Sequence, residues 1–74
     1  MLTGRQIRAA RKLLAWVRVW FARKARIRVE TLRRAESFDD EADISRAQAY
    51  KIRSAVSGAG LEFTKDGVTL KAKG

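Results

Sequence analysis

The 23 residues from Leu14 to Glu36 limit most strongly what this chain can fold into. They include both tryptophans but no Gly, Pro, Asn, Asp or Ser, so the usual signals that end one helix and begin the next are missing. Without such signals, residues 3–36 would form one helix about 50 Å long. A single rod would expose large apolar side chains that do not share a stripe, namely Trp16, Phe21, Ile27 and Leu32. Burial therefore predicts that this stretch folds back into shorter helices.

The composition excludes most kinds of active site. The chain has 74 residues and neither cysteine nor histidine, which rules out disulfides, zinc-finger ligand sets, cysteine nucleophiles and histidine bases. A single domain over residues 1–74 has little room for an enclosed site. We therefore expect no enzyme, no metal and no cofactor, and the absence of cysteine fits a cytoplasmic protein.

The charge is distributed very unevenly along the chain. The formal net charge is +9, and residues 1–35 carry eleven basic side chains and one acidic one. Residues 36–74 carry six basic and seven acidic side chains. Such a basic half indicates a polyanionic partner, with nucleic acid ahead of an anionic membrane. No stretch approaches the roughly 20 apolar residues of a membrane span.

Two helix starts are clearly marked. Thr3 with Gln6, and Ser45 with Gln48, have the spacing of capping boxes, in which each side chain satisfies a free backbone N–H. Gly58 or Gly60 is expected to end the second of these helices in the left-handed conformation. Three basic residues of the first helix are expected to be solvated: Arg5, Arg8 and Lys12.

The acidic residues 36–43, E-S-F-D-D-E-A-D, read as a connector, since Ser and Asp favour turns and caps. Such a run is usually just solvated. The alternative is that it repels nucleic acid and keeps DNA on the opposite face.

The C-terminal segment L-E-F-T-K-D-G-V-T-L-K-A predicts a β-hairpin with Asp66-Gly67 as a two-residue turn. This turn pairs residues as follows: Lys65 with Val68, Thr64 with Thr69, Phe63 with Leu70, Glu62 with Lys71 and Leu61 with Ala72. A lone hairpin is marginal in water, so it must pack on the helices or pair with a strand of another chain.

The opening T-G-R-Q-I-R-A-A-R-K-L-L-A-W and the ending L-E-F-T-K-D-G-V-T-L resemble the phage-repressor-like (Cro/XRE) helix-turn-helix transcriptional regulators, in particular small bacterial members. The resemblance implies a mainly α, four-helix helix-turn-helix DNA-binding domain with a short C-terminal β-hairpin. The helices would span about residues 3–14, 17–25, 28–36 and 45–59, and the hairpin residues 61–72.

The resemblance also implies roles for individual residues. Phe21 and Ala22 match the family's Leu-Ala pair, whose small member lets two helices approach. Ile27 matches the family's apolar residue after the turn, and Thr31 and Leu32 match the Thr-Ile pair of its recognition helix. Arg11 and Glu36 match a family salt bridge between the first helix and the end of the recognition helix. The chain departs from the family's usual glycines, helix caps and glutamine at Ala15, Val17, Arg18, Arg26 and Arg28.

In the family frame, residues 28–36 form the recognition helix, and Val29, Glu30 and Arg34 would meet base edges in the major groove. Phosphate contacts are expected from Arg18, Arg23, Lys24, Arg26, Arg28 and Arg33. The implied function is sequence-specific DNA binding in transcription regulation, by a homodimer in the cytoplasm at the bacterial nucleoid. Nonspecific nucleic-acid binding remains open.

The two tryptophans receive different predictions. Trp16 is expected in the core, whereas Val19 and Trp20 point outward unless the second helix is rotated or the tail covers them. If they are exposed, they form a protein interface. An alternative function is then a protein-binding antagonist or antitoxin-like regulator, and a cationic membrane-binding protein is a further one. The hairpin edge and the Val19–Trp20 patch are the two candidate dimer interfaces.

Overall fold

The structure of the chain is a computed structural model that describes residues 2–65 and 67–71. It contains helices α1 (Gly4–Leu13), α2 (Arg18–Ala25), α3 (Val29–Glu36) and α4 (Arg46–Gly58), followed by strands β1 (Leu61–Phe63) and β2 (Val68–Leu70). The predicted fold class, four helices with a C-terminal β-hairpin, is confirmed. Each helix begins and ends within one residue of its predicted bounds.

Both capping boxes are present. The Thr3 hydroxyl accepts from the Gln6 backbone N–H at 3.1 Å, while the Gln6 side chain accepts from the Thr3 N–H at 2.8 Å. Ser45 and Gln48 repeat the arrangement at 3.1 and 2.9 Å. The buried Gln6 side chain also donates to the Thr64 carbonyl, so the cap of α1 is connected to the hairpin. One polar side chain therefore fixes both the start of a helix and the position of the sheet.

The ends of α1 and α2 form turns without glycine. Ala15 and Arg26 adopt left-handed backbone angles, with φ of 56° and 59°. In each case the next residue closes the turn, since Trp16 N donates to Arg11 O and Ile27 N donates to Ala22 O, both at 3.0 Å. This is the hydrogen bonding of a Schellman motif, in which glycine is usual at the left-handed position. The long stretch without turn residues is thus broken at two places where the backbone is strained.

The acidic connector packs against the start of α1. Thr3 and Glu41 form an isolated antiparallel bridge, and Gly4 N donates to Asp40 O at 2.9 Å. A Cβ on Gly4 would lie 1.7 Å from the Phe38 carbonyl oxygen, so no larger residue fits at this approach. The connector is therefore held in a fixed position rather than extended into solvent.

The core draws large apolar side chains from all four helices, and Leu61 of β1 covers it. The largest fully buried apolar residues are Phe21, Ile7, Leu32, Ile52 and Val56. Trp16, predicted as a core residue, is half-buried at the margin of the core, where its ring meets the Phe21 ring edge-on at a centroid distance of 5.4 Å.

The hairpin has a different register from the predicted one. Leu61 pairs with Leu70, Glu62 with Thr69 and Phe63 with Val68. The predicted pairings that these replace are therefore wrong: Lys65–Val68, Thr64–Thr69, Phe63–Leu70 and Glu62–Lys71. Ala72, predicted to face Leu61, and Asp66 of the predicted turn lie outside the described residues.

A contact from α1 explains the shift of two residues. The Thr64 carbonyl accepts from the Gln6 side chain, and Gly67 N instead donates to the Thr64 hydroxyl at 3.1 Å. Thr64 N donates to Gly67 O at 2.9 Å, so the strands already close at these two residues. A shift of two leaves every side chain on the same face of the sheet, so the hydrophobic pattern could not distinguish the two registers.

Candidate nucleic-acid interface

Helices α2 and α3 pack on each other and are joined by residues 26–28. The inner side of α2 presents Phe21, Ala22 and Ala25, and all three are buried. The facing helix contributes Leu32 and Ala35, which are fully buried. Small alanines on both helices allow a close approach, and this packing leaves the opposite side of α3 uncovered.

The uncovered side of α3 carries Glu30, Arg33 and Arg34, which are all exposed. Their spacing of three and four residues places them on one face of the helix. Val29, also predicted to meet a base, is half-buried and packs against the core. Two of the three predicted base-contacting residues therefore lie together, and the third stands at the edge of the face.

Further exposed cations lie near this face along the chain. Arg23 lies in the last turn of α2, Arg26 and Arg28 lie in the connection, and Arg33 is on α3 itself. Glu30 is the one carboxylate among residues 1–35. We call Glu30, Arg33 and Arg34, with Arg23, Arg26 and Arg28, the basic face.

Lys24 and Arg18, two further predicted phosphate contacts, have partners within the chain. The Lys24 ammonium lies over the Trp20 ring, 5.0 Å from its centroid, which is a cation–π arrangement. Arg18 donates its Nε to the Glu36 carboxylate at 3.2 Å, with its side chain 42% exposed. Its Nε is thus committed to the fold, although the side chain as a whole is partly exposed.

Glu36 is a buried carboxylate shared by two arginines. Arg11, from α1, donates Nε to both carboxylate oxygens at 3.0 Å and brings Nη2 to 3.0 Å from Oε1. The Arg11–Glu36 salt bridge implied by the family resemblance is therefore present. Arg18 adds a second cation from α2, so one carboxylate at the end of α3 connects three helices.

Sequence reasoning missed this second cation, although a signal for it exists. Arg18 precedes the buried residues Phe21, Ala22 and Ala25 by three, four and seven positions. This helical spacing places Arg18 on the inner face of α2.

Arg8 was expected to be solvated, and this expectation is wrong. Its guanidinium donates to the backbone carbonyl of Glu36 and to the Asp39 carboxylate. The hydrogen bond from Arg8 and its charge hold the pKa of Asp39 below its usual value of 3.8. Arg8 shares a helix face with Gly4 and Arg11, and this face packs on the end of α3, which draws it out of solvent. Arg5 and Lys12 are exposed, as expected.

Val19 and Trp20 project from the outer side of α2. Trp20 is 42% exposed and Val19 is 59% exposed. Neither a rotation of α2 nor the described part of the tail covers them, so the expectation of an outward position is correct. Trp20 therefore forms an exposed apolar projection, and the Lys24 ammonium lies over its ring.

A surface groove lies on another part of the molecule, between the connector and α4. Its volume is about 780 Å³, and its floor is formed by Leu2, Ala42, Ile44 and Ala49. Within residues 2–65 and 67–71, no cluster of potential metal ligands occurs. None of the helices in this part of the chain is long and apolar enough to cross a membrane.

Comparison of the chain with protein-family models, with curated proteins and with solved structures found no match.

Proposed function

We propose that this chain is a sequence-specific DNA-binding transcriptional regulator that inserts α3 into the major groove and acts at the chromosome in the bacterial cytoplasm. The observation that carries the proposal is the uncovered side of α3, where Glu30, Arg33 and Arg34 are exposed, with exposed arginines in the connection that precedes it. A helix with such a side fits the width of the major groove of B-form DNA.

The side chains of this helix match the chemistry of base edges. An arginine such as Arg34 can donate two parallel hydrogen bonds to O6 and N7 of guanine. Glu30 can accept from the N4 amino group of cytosine. Its negative charge repels phosphate oxygens, so the carboxylate disfavours any DNA site that offers it only phosphates. Glu30 thus supports reading of a sequence over indiscriminate binding.

The exposed arginines that precede α3 suit the DNA backbone. Arg23, Arg26 and Arg28 lie at the end of α2 and in the connection, beside the N-terminus of α3. Phosphate contacts fix the orientation of a protein on the duplex and make its affinity depend on salt, without selecting a sequence. The partly exposed side chain of Arg18 is available for the same purpose.

The proposal is tested on Arg34 with a substitution that keeps its charge. Arg34→Lys retains the attraction to phosphates but loses the rigid two-donor fork that recognises guanine. We expect affinity for a specific site to fall about 5- to 150-fold, which corresponds to 1–3 kcal/mol, while affinity for random DNA stays unchanged. The measurement is fluorescence anisotropy at fixed salt, with a site selected from the DNA surrounding the gene and a random duplex.

The matched control is Arg53→Lys, because Arg53 is exposed on α4, outside the basic face. It should leave both affinities unchanged. Equal losses on the two duplexes for Arg34→Lys would contradict base reading by Arg34. A wild-type protein that binds both duplexes equally would reduce the function to nonspecific nucleic-acid binding.

A further inference from the structure

The side of α3 that points most directly away from the core lies between Glu30 and Arg34. A helix turns by about 100° per residue, so the buried side chains of Leu32, Ala35 and Glu36 share a sector about 100° wide. The direction opposite the middle of this sector falls between Glu30 and Arg34, which are about 40° apart around the helix axis. These two side chains are therefore the outermost ones of the helix.

Arg33 is also exposed, but it lies to one side of this outermost direction. It is about 70° away from it, whereas Glu30 and Arg34 are each within about 30°. When a helix lies in the major groove, its outermost side chains face the base edges, and side chains on its flank face the phosphates along the wall. Position around the helix thus predicts base contacts from Glu30 and Arg34 and a phosphate contact from Arg33.

Glu30 and Arg34 are not paired with each other in the free protein. A carboxylate four residues before an arginine is well placed for an ion pair on a helix surface. Within residues 2–65 and 67–71, however, every ion pair involves Glu36 or Asp39, and neither Glu30 nor Arg34 takes part in one. Both side chains therefore keep their charged ends available for a ligand.

Glu30 also has a simpler role, which is to stabilise the start of α3. Negative charge favours the N-terminus of a helix, and the N-cap residue Arg28 makes no side-chain hydrogen bond there. A carboxylate anywhere in the first turn would meet this need, whereas base reading requires one at the outermost position. The two roles can be separated by experiment, because helix stability does not determine which base is preferred.

The spacing of the two side chains determines which base pairs they reach. Four residues span about 6 Å along a helix, and successive base pairs are about 3.4 Å apart. A helix aligned with the groove therefore brings Glu30 and Arg34 to base pairs that are adjacent or have one base pair between them. Cytosine suits the carboxylate, since the amino group of adenine stands beside the acceptor N7, which repels it. Guanine suits the arginine, because it presents two acceptors side by side.

We propose that the DNA site read by α3 contains two G·C base pairs with at most one base pair between them. Glu30 accepts from N4 of the cytosine in one pair, and Arg34 donates to O6 and N7 of the guanine in the other. Arg33 contacts a phosphate and selects no base. This assignment rests on the proposed function and extends it, because it names the bases and their spacing.

The experiment selects binding sites from a library of random DNA duplexes, with the full chain and with glutamine variants. The wild-type protein should select a motif with two G·C pairs at the stated spacing. Glu30→Gln should move the preference for cytosine to adenine at one position, because glutamine matches N6 and N7 of adenine. Arg34→Gln should move the preference for guanine to adenine at the other position. In each variant, anisotropy on single-base variants of the site should show the original preference reduced at least about 5-fold.

Arg33→Gln is the matched control, because it removes the same charge as Arg34→Gln from the neighbouring residue. It should weaken binding to every sequence alike and leave all base preferences unchanged. Far-ultraviolet circular dichroism establishes that each variant is folded. It also records any loss of helix stability in Glu30→Gln, which by itself would leave the selected motif unchanged.

The possible failures are distinguishable. A wild-type protein that selects no motif would remove the proposed function and this assignment together. A motif that persists unchanged in Glu30→Gln and Arg34→Gln would leave DNA reading in place and overturn the assignment. Three further results would also overturn it: both variants altering the same position, altered positions more than one base pair apart, or a changed base preference in Arg33→Gln.

Discussion

Ala15 and Arg26 end α1 and α2 in a backbone conformation that suits glycine. Their φ angles of 56° and 59° bring Cβ close to the following carbonyl oxygen, which costs roughly 1–2 kcal/mol per residue. The turns form nevertheless because Trp16 and Ile27, directly after them, pack against the core. Burial of two large side chains thus compensates for two local strains.

Relief of this strain should stabilise the protein. Ala15→Gly is expected to raise the free energy of unfolding by about 0.5–1 kcal/mol, since glycine removes the clash but gains freedom in the unfolded chain. The measurement is urea denaturation followed by circular dichroism. Ala9→Gly, within α1, is the control and should lower the same quantity by about 0.5–1 kcal/mol. If both substitutions destabilise the protein, the strain at Ala15 is absent.

At the scale of helices, the shared carboxylate of Glu36 determines how α1, α2 and α3 fit together. Its side chain is fully buried, whereas the side chains of Arg11 and Arg18 are 18% and 42% exposed. A buried carboxylate is strongly unfavourable without a cation. Either arginine can meet that need while the other is absent, so the two should substitute for each other in part.

This overlap predicts a non-additive response to mutation. Arg11→Met should lower the free energy of unfolding by about 1–3 kcal/mol, and Arg18→Met by less, because Arg18 makes fewer contacts and is more exposed. The double variant should lose more than the sum of the two, since Glu36 is then buried without a partner. Urea denaturation of the four proteins in this cycle measures the coupling. Additive losses would show that Arg18 does not share in holding Glu36.

The sequence was sufficient for elements that depend on local chemistry. The capping boxes of Thr3 and Ser45 are set within four residues, and the burial of Phe21 and Leu32 required α2 and α3 to fold back on each other. Features that depend on distant partners were missed or wrong. The hairpin register is set by Gln6, 58 residues from Thr64, and Arg8 is drawn toward Asp39, 31 residues away.

The exposed side of α3 could be predicted in part for the same reason. Helical spacing places Glu30 and Arg34 on one face of the helix. It does not show that Val29, at the first position of the helix, packs against the core. No local pattern could reveal the groove between the connector and α4, because Leu2 and Ala49 meet there only after the chain has folded.

At the scale of the whole molecule, we expect DNA binding to depend on where the charges lie more than on their sum. The net charge is +9, but residues 37–43 of the connector carry four carboxylates, at Asp39, Asp40, Glu41 and Asp43. This segment begins just after the C-terminal end of α3, whereas Arg26 and Arg28 lie at the N-terminal end of that helix. If only the net charge attracted DNA, the loss of any one cation would have the same effect. If the basic face binds, only its own cations should count.

Two substitutions that remove the same charge distinguish these cases. Arg23→Gln, on the basic face, should reduce the slope of log affinity against log salt concentration by about one, because one phosphate contact is lost. Lys51→Gln, exposed on α4, also lowers the net charge by one but should leave the slope unchanged. Salt titrations of binding to a random duplex by fluorescence anisotropy measure both slopes. Equal changes would mean that DNA responds to the total charge, and the basic face would lose its assignment as the contact surface.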